Sequence, residues 1–84
     1  MALTPAQVRI ARDSLTDVFT PDGYAVTIAR LYTFSDPHSH FYGKGQCAQV
    51  NGREHADVWF PVSELEPGAD LLRIEASEQK GTRD

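Results

Sequence analysis

The chain is poor in the residues that staple, anchor or catalyse. It has one cysteine, one tryptophan and one methionine in 84 residues. A lone Cys47 cannot close an internal disulfide, so a stapled secreted scaffold is excluded and a reducing compartment is expected. No apolar run approaches the roughly 18 residues of a membrane span, and the start lacks the apolar core of a signal peptide. The expected location is therefore cytoplasmic, with no membrane partner. No glycine-rich run has phosphate-loop spacing, and no serine sits in a nucleophile-elbow pattern. Cations are also scarce, with eight Lys and Arg against twelve Asp and Glu, for a net charge of -4. Phosphate contacts need Lys and Arg, so this balance speaks against nucleic acid as a partner.

What is present describes one small domain. A chain of this size buries roughly 60–65% of its unfolded surface, enough for one modest core. The acidity is uneven. Residues 1–53 carry a net charge of +1, whereas 54–78 carry seven acids against Arg73 alone, a net of -6. Such a segment either serves only to keep a small domain soluble or attracts a basic protein surface.

In chain order, Thr4-Pro5-Ala6-Gln7 opens a helix: Thr4 caps, Pro5 suits the first helical position, and Gln7 completes a capping box. Leu3 and Val8 form a hydrophobic staple, and Val8, Ala11, Leu15, Val18 and Phe19 recur at helical spacing. The helix is expected over about 4–19. Thr20-Pro21-Asp22-Gly23 reads as a turn. Residues 24–34 are rich in β-branched and aromatic types and read as a long strand, with a bulge expected near Arg30 where the alternation breaks. Asp36-Pro37 marks a loop. Residues 41–50 and 53–62 read as a hairpin around Asn51-Gly52, which suits both positive-φ positions of a type I′ turn. That turn sets Cys47 against Ala56, Lys44 against Trp59 and Ala48 against His55. A last strand is expected over 70–76, and a frayed tail over 78–84. The predicted fold is α+β: an N-terminal helix packed on a four-stranded, mainly antiparallel, curved and barrel-like sheet.

Tested against this framework, most chemistry falls away. His38, His40, Cys47 and His55 lie within 18 residues and invite a zinc reading. In the predicted register Cys47 and His55 point to opposite faces, and His55 lies a strand distance of about 26 Å from His40. No metal or other cofactor is expected. Cys47 is predicted on the packed face, where a thiol acts as a small hydrophobe. No catalytic residue is assigned, and the chain is read as no enzyme. Tyr42, Lys44 and Trp59 are predicted to share the hairpin's other face. Aromatic side chains beside a cation serve either a protein interface or a single-stranded nucleic-acid platform, as in an OB-like module. The alternative is a second small core. The candidate partner-binding residues are Tyr42, Lys44 and Trp59 together with the acids Glu54, Asp57, Glu64, Glu66 and Asp70.

Residues 47–65, CAQVNGREHADVWFPVSEL, resemble a pattern of small phage and prophage proteins, in which a strand, an Asx-Gly turn and a strand ending in V-W-[IFL]-P-K-S-Q recur. Val58, Trp59, Phe60, Pro61 and Ser63 match. Val62 stands where the pattern has Lys, and Glu64 where it has Gln, so roles of that amine and amide do not carry over. The resemblance implies a phage or mobile-element origin and work in a host cell. With the size and acidity, it suggests an inhibitor of a host nucleic-acid-binding defence complex, of the anti-CRISPR kind. The expectation is a protein that binds a basic-surfaced partner protein, as a monomer or small homo-oligomer.

Overall fold

A computed structural model describes residues 2–81, with side chains as far as Glu78. The first helix, α1, spans Pro5–Ser14 and carries the expected capping box. Gln7 N–H donates to Thr4 Oγ1 at 3.1 Å, and Thr4 N–H donates to Gln7 Oε1 at 2.9 Å. Leu3 and Val8 are both buried in the core, as a staple requires. The helix is shorter than predicted. Leu15 adopts the left-handed conformation, with φ 53 and ψ 43, and closes the C-terminus. Leu15 is 68% exposed, so the predicted apolar stripe stops at Ala11. Val18–Phe19 is instead a strand, β1.

Four further strands follow: β2 at Ala25–Thr33, β3 at Gln46–Gly52, β4 at Val58–Pro61 and β5 at Glu66–Pro67. They form one five-stranded antiparallel sheet in the order β4-β3-β2-β1-β5. Three of the four predicted strands lie in it, and β1 and β5 are not predicted by the sequence. The sheet is not closed, since the edge strands β4 and β5 do not pair. It is strongly curled nonetheless. Laid flat, β4 and β5 would lie four strand spacings apart, about 19 Å. Only a 3₁₀ turn over Val62–Glu64 and Leu65 separate them in sequence. Such a connection spans about 13 Å, so the sheet bends to bring its edges together.

The segment predicted as the last strand is a helix, α2, over Ala69–Gly81. Leu71 is buried and Ile74 packs on the core, whereas Leu72 is 47% exposed. The pattern that counts is therefore three residues long, and Leu72-Ile74-Ala76 mimicked a strand. Residues 78–81 of the predicted frayed tail continue this helix; 82–84 lie outside the described residues. Gln7 Nε2 donates to Glu75 Oε1 at 3.0 Å and joins the two helices. Both helices cover one face of the sheet. Val18, Val26, Ile28, Ala48, Val50, Leu65 and Leu71 meet there at near-zero exposure.

Two local features set the faces. The expected bulge lies between Ile28 and Arg30. Ahead of it Val26 and Ile28 point inward; beyond it Leu31 packs on the core, leaving Arg30 and Tyr32 outward. The hairpin differs from prediction. Gln49 pairs with Trp59, Cys47 with Pro61 and Val50 with Val58, so the register is five residues longer than a two-residue turn gives. An odd shift exchanges the faces of one strand relative to the other. Asn51 and Gly52 belong to β3, and the loop is 53–57. Gly52 is needed for space: a Cβ there would stand 2.6 Å from the Ala25 carbonyl oxygen. The predicted strand start at Phe41 also fails. Gly43 and Gly45 have φ of 77 and 78, and a loop runs to Gly45.

Candidate functional site

The outward face of the sheet carries a row across three strands: Arg30 on β2, Gln49 on β3 and Trp59 on β4. The next row is Tyr32, Cys47 and Pro61. Phe34, just past the end of β2, completes an aromatic group. Its ring lies 4.8 Å from Tyr32 and 5.1 Å from Trp59, both edge to face. Phe41, from the loop before β3, adds a contact with Phe34 at 5.3 Å. Such geometries suit the aromatic quadrupole and hold the rings in place. Between Tyr32 and Pro61 in the sheet register lies Cys47, fully buried, with its thiol 3.7 Å from the Gly45 carbonyl. Burial pushes the thiol pKa up, as does nearby Glu64, while Lys44 opposes them. A thiol held protonated is a poor nucleophile.

The aromatic group is thus partly a small second core and partly a surface. Trp59 is half-buried, but Tyr32 is 55% exposed. A groove of about 350 Å³ runs between them, lined by Arg30, Leu31, Tyr32, Phe34 and Trp59. Arg30 lies over the indole, its guanidinium carbon 5.7 Å from the ring centroid. Its Nε donates to Gln49 Oε1 at 2.9 Å, and Gln49 Nε2 donates to the Asp57 carbonyl at 3.4 Å.

The predicted partner-binding residues fall in three places. Trp59, Lys44 and Glu64 line one cleft with His40 and Phe41, of about 220 Å³. Tyr42 is exposed in the same loop as Lys44, but Lys44 does not stand opposite Trp59 as predicted; Gln49 does. Glu54 and Asp57 belong to the β3–β4 loop. Asp57 takes φ 56, and its N–H donates to Asn51 Oδ1 at 2.9 Å. Glu66 and Asp70 lie at the opposite edge, in β5 and the first turn of α2, where Asp70 pairs with Arg73. A carboxylate at a helix N-terminus is favoured by the backbone dipole, a structural role for Asp70. Sequence reading missed Arg30, Tyr32 and Phe34 as site residues. The bulge that turns Arg30 and Tyr32 outward was the available signal.

The histidines are dispersed. His40 packs edge-on against Phe41, whereas His55 contacts Tyr24 and Phe60, with Nε2 3.6 Å from Asp22 Oδ2. That distance allows attraction but is long for a hydrogen bond. The register used to separate Cys47 from His55 is not the observed one, since His55 lies in the loop and not opposite Ala48. Among the described residues, no three His, Cys, Asp or Glu side chains cluster as metal ligands. No described helix is long and apolar enough to cross a membrane.

Comparison with protein-family models, curated proteins and solved structures found no match to this chain.

Proposed function

We propose that the protein acts by binding another protein, without chemistry of its own, and that the aromatic face around Trp59 is the docking surface. The observation that carries this is the uncovered groove beside Trp59: both helices pack on the other face, and Tyr32 remains more than half exposed. Rigid aromatic side chains beside an arginine are the residue types that dominate binding energy at protein interfaces. The acidic residues Glu66 and Asp70, at the far edge, offer a second contact for a basic partner surface. A phage-type inhibitor of a host nucleic-acid-binding complex, of the anti-CRISPR kind, is the proposed role. It rests on the motif at residues 58–63 and on the acidity.

The test is affinity capture from a host lysate with wild type, Trp59→Ala and the triple reversal Glu64→Lys, Glu66→Lys, Asp70→Lys. The expected result is a protein retained by wild type and lost by Trp59→Ala while far-UV circular dichroism is unchanged. Capture that survives Trp59→Ala moves the site off this face. Capture unaffected by charge reversal removes the basic-partner component. One observation favours a second reading: Arg30 over Trp59, beside Tyr32 and Phe34, is also how a strand face stacks single-stranded bases. Low-salt binding of labelled oligonucleotides, lost in Trp59→Ala, would establish that reading instead.

A further inference from the structure

The groove contains a cation whose orientation is set by its neighbours. Arg30 is oriented from two sides: Trp59 lies beneath its guanidinium, and Gln49 accepts from Nε at 2.9 Å. Gln49 is in turn held by the Asp57 carbonyl, whose own residue is anchored through Asn51. This chain of contacts uses Nε, and among the described residues no hydrogen bond engages the paired terminal nitrogens of the fork. Among the described residues, no carboxylate forms an ion pair with Arg30. The groove's remaining walls are Leu31, Tyr32, Phe34 and Trp59, all apolar or aromatic.

We propose that this groove is a recognition site for an acidic–apolar peptide segment, in which an Asp or Glu carboxylate meets Arg30 while a neighbouring apolar or aromatic side chain fills the space between Tyr32 and Trp59. The inference rests on the protein-binding reading above and names the chemistry of the segment. A guanidinium fork pairs bidentately with a carboxylate, and pre-orienting it lowers the entropy lost on binding. Charge complementarity selects a single carboxylate over a phosphate chain. A nucleic-acid strand presents a charge at every residue and needs a track of cations. Here the adjoining cleft holds Lys44 but also Glu64, and the hairpin loop beside it carries Glu54 and Asp57. One anion is welcome at Arg30; the next ones meet carboxylates.

The test pans a phage-displayed random dodecapeptide library on the immobilised full chain, with Arg30→Met and Trp59→Ala chains of unchanged circular dichroism as controls. Enriched peptides are expected to carry Asp or Glu within about three positions of Trp, Phe or Leu, the reach of one extended segment. The synthetic consensus peptide should shift the Trp59 indole N–H and Arg30 Nε–H resonances. Changing its acid to the amide, or Arg30 to Met, should weaken binding about tenfold, with little further loss when the two are combined. A consensus without an acid, equal binding of acid and amide peptides, or no enrichment would overturn the carboxylate site. Those results leave Trp59-dependent docking to be judged by the lysate capture. Tighter binding of a dT12 oligonucleotide than of the consensus, lost in Arg30→Met, would overturn both readings.

Discussion

At the scale of single residues, the structure turns on positions where a side chain or its absence decides a contact. Gly52 is one. Its hydrogen faces the Ala25 carbonyl at a distance no methyl group tolerates, and backbone cannot yield as a flexible side chain does. Gly52→Ala is expected to lower stability by about 1–3 kcal/mol, read from urea unfolding. The sequence predicts a turn at Asn51-Gly52, but the glycine serves close approach, and Asp57 takes the left-handed position in the loop. Asp22 sets a pH dependence. Its carboxyl is held below its ordinary value, first by the Thr20 hydroxyl hydrogen bond and also by His55. A carboxylate with a depressed folded-state pKa contributes stability that is present above its unfolded value and lost as pH falls through the folded one. Wild type should therefore lose more stability between pH 7 and pH 3 than Asp22→Asn does. Equal acid sensitivity in the two proteins would remove the Thr20–Asp22–His55 contact as a source of it.

At the scale of elements, the ends of the chain carry the largest surprise. Residues 70–76 satisfy both a strand and a helix pattern, because Ile74 serves either. Helix formers Leu71, Leu72, Arg73, Glu75 and Ala76 fill the segment, and the core offers a site for Leu71. The two readings make opposite predictions. In the helix, Leu71→Ala should cost about 2–4 kcal/mol and Leu72→Ala under about 0.5 kcal/mol. A strand with Leu72 inward would reverse that order. Thermal unfolding of the two variants separates them. The first helix was legible at its N-terminus, where Thr4, Pro5 and Gln7 act locally. Its C-terminus was not, because Val18 leaves the helix to pair with Val26 and Pro67. Two-residue strands such as β1 and β5 have no periodicity of their own. They exist only because partners from distant parts of the chain are beside them.

For the molecule as a whole, the curled sheet ties the strands and helices around one shared core. Pairing of β1 with β5 joins residues near 18 to residues near 67, while both helices share a core with β2 and β3. No part has a core that closes without the others. Far-UV circular dichroism and fluorescence of the single Trp59 are expected to give coincident unfolding curves. A Trp59 transition at lower denaturant would mean that the aromatic face melts as a separate layer. The same arrangement separates the surface chemically. The cationic–aromatic groove opens on the sheet face turned away from the helices, while Asp70, Glu75 and Glu78 lie on α2. The acidic segment 54–78, continuous in sequence, is thereby divided between the hairpin loop, the 3₁₀ turn, β5 and α2.

Local chemistry in the sequence was enough to determine the α+β class, the N-terminal cap, the long strand with its bulge at Arg30 and the antiparallel pairing of the strand that carries Trp59 with the one before it. These depend on neighbours within a few residues, through capping hydrogen bonds, β-branching and side-chain alternation. Tertiary structure decided the hairpin register, the helix at 69–81, the two short strands and the membership of the candidate site. Each depends on what a distant segment places alongside: the Ala25 carbonyl against Gly52, a core vacancy for Leu71, and a five-residue shift that brings Gln49 between Arg30 and Trp59. A one-dimensional pattern can show which side chains alternate, but only the packed sheet sets which face is covered.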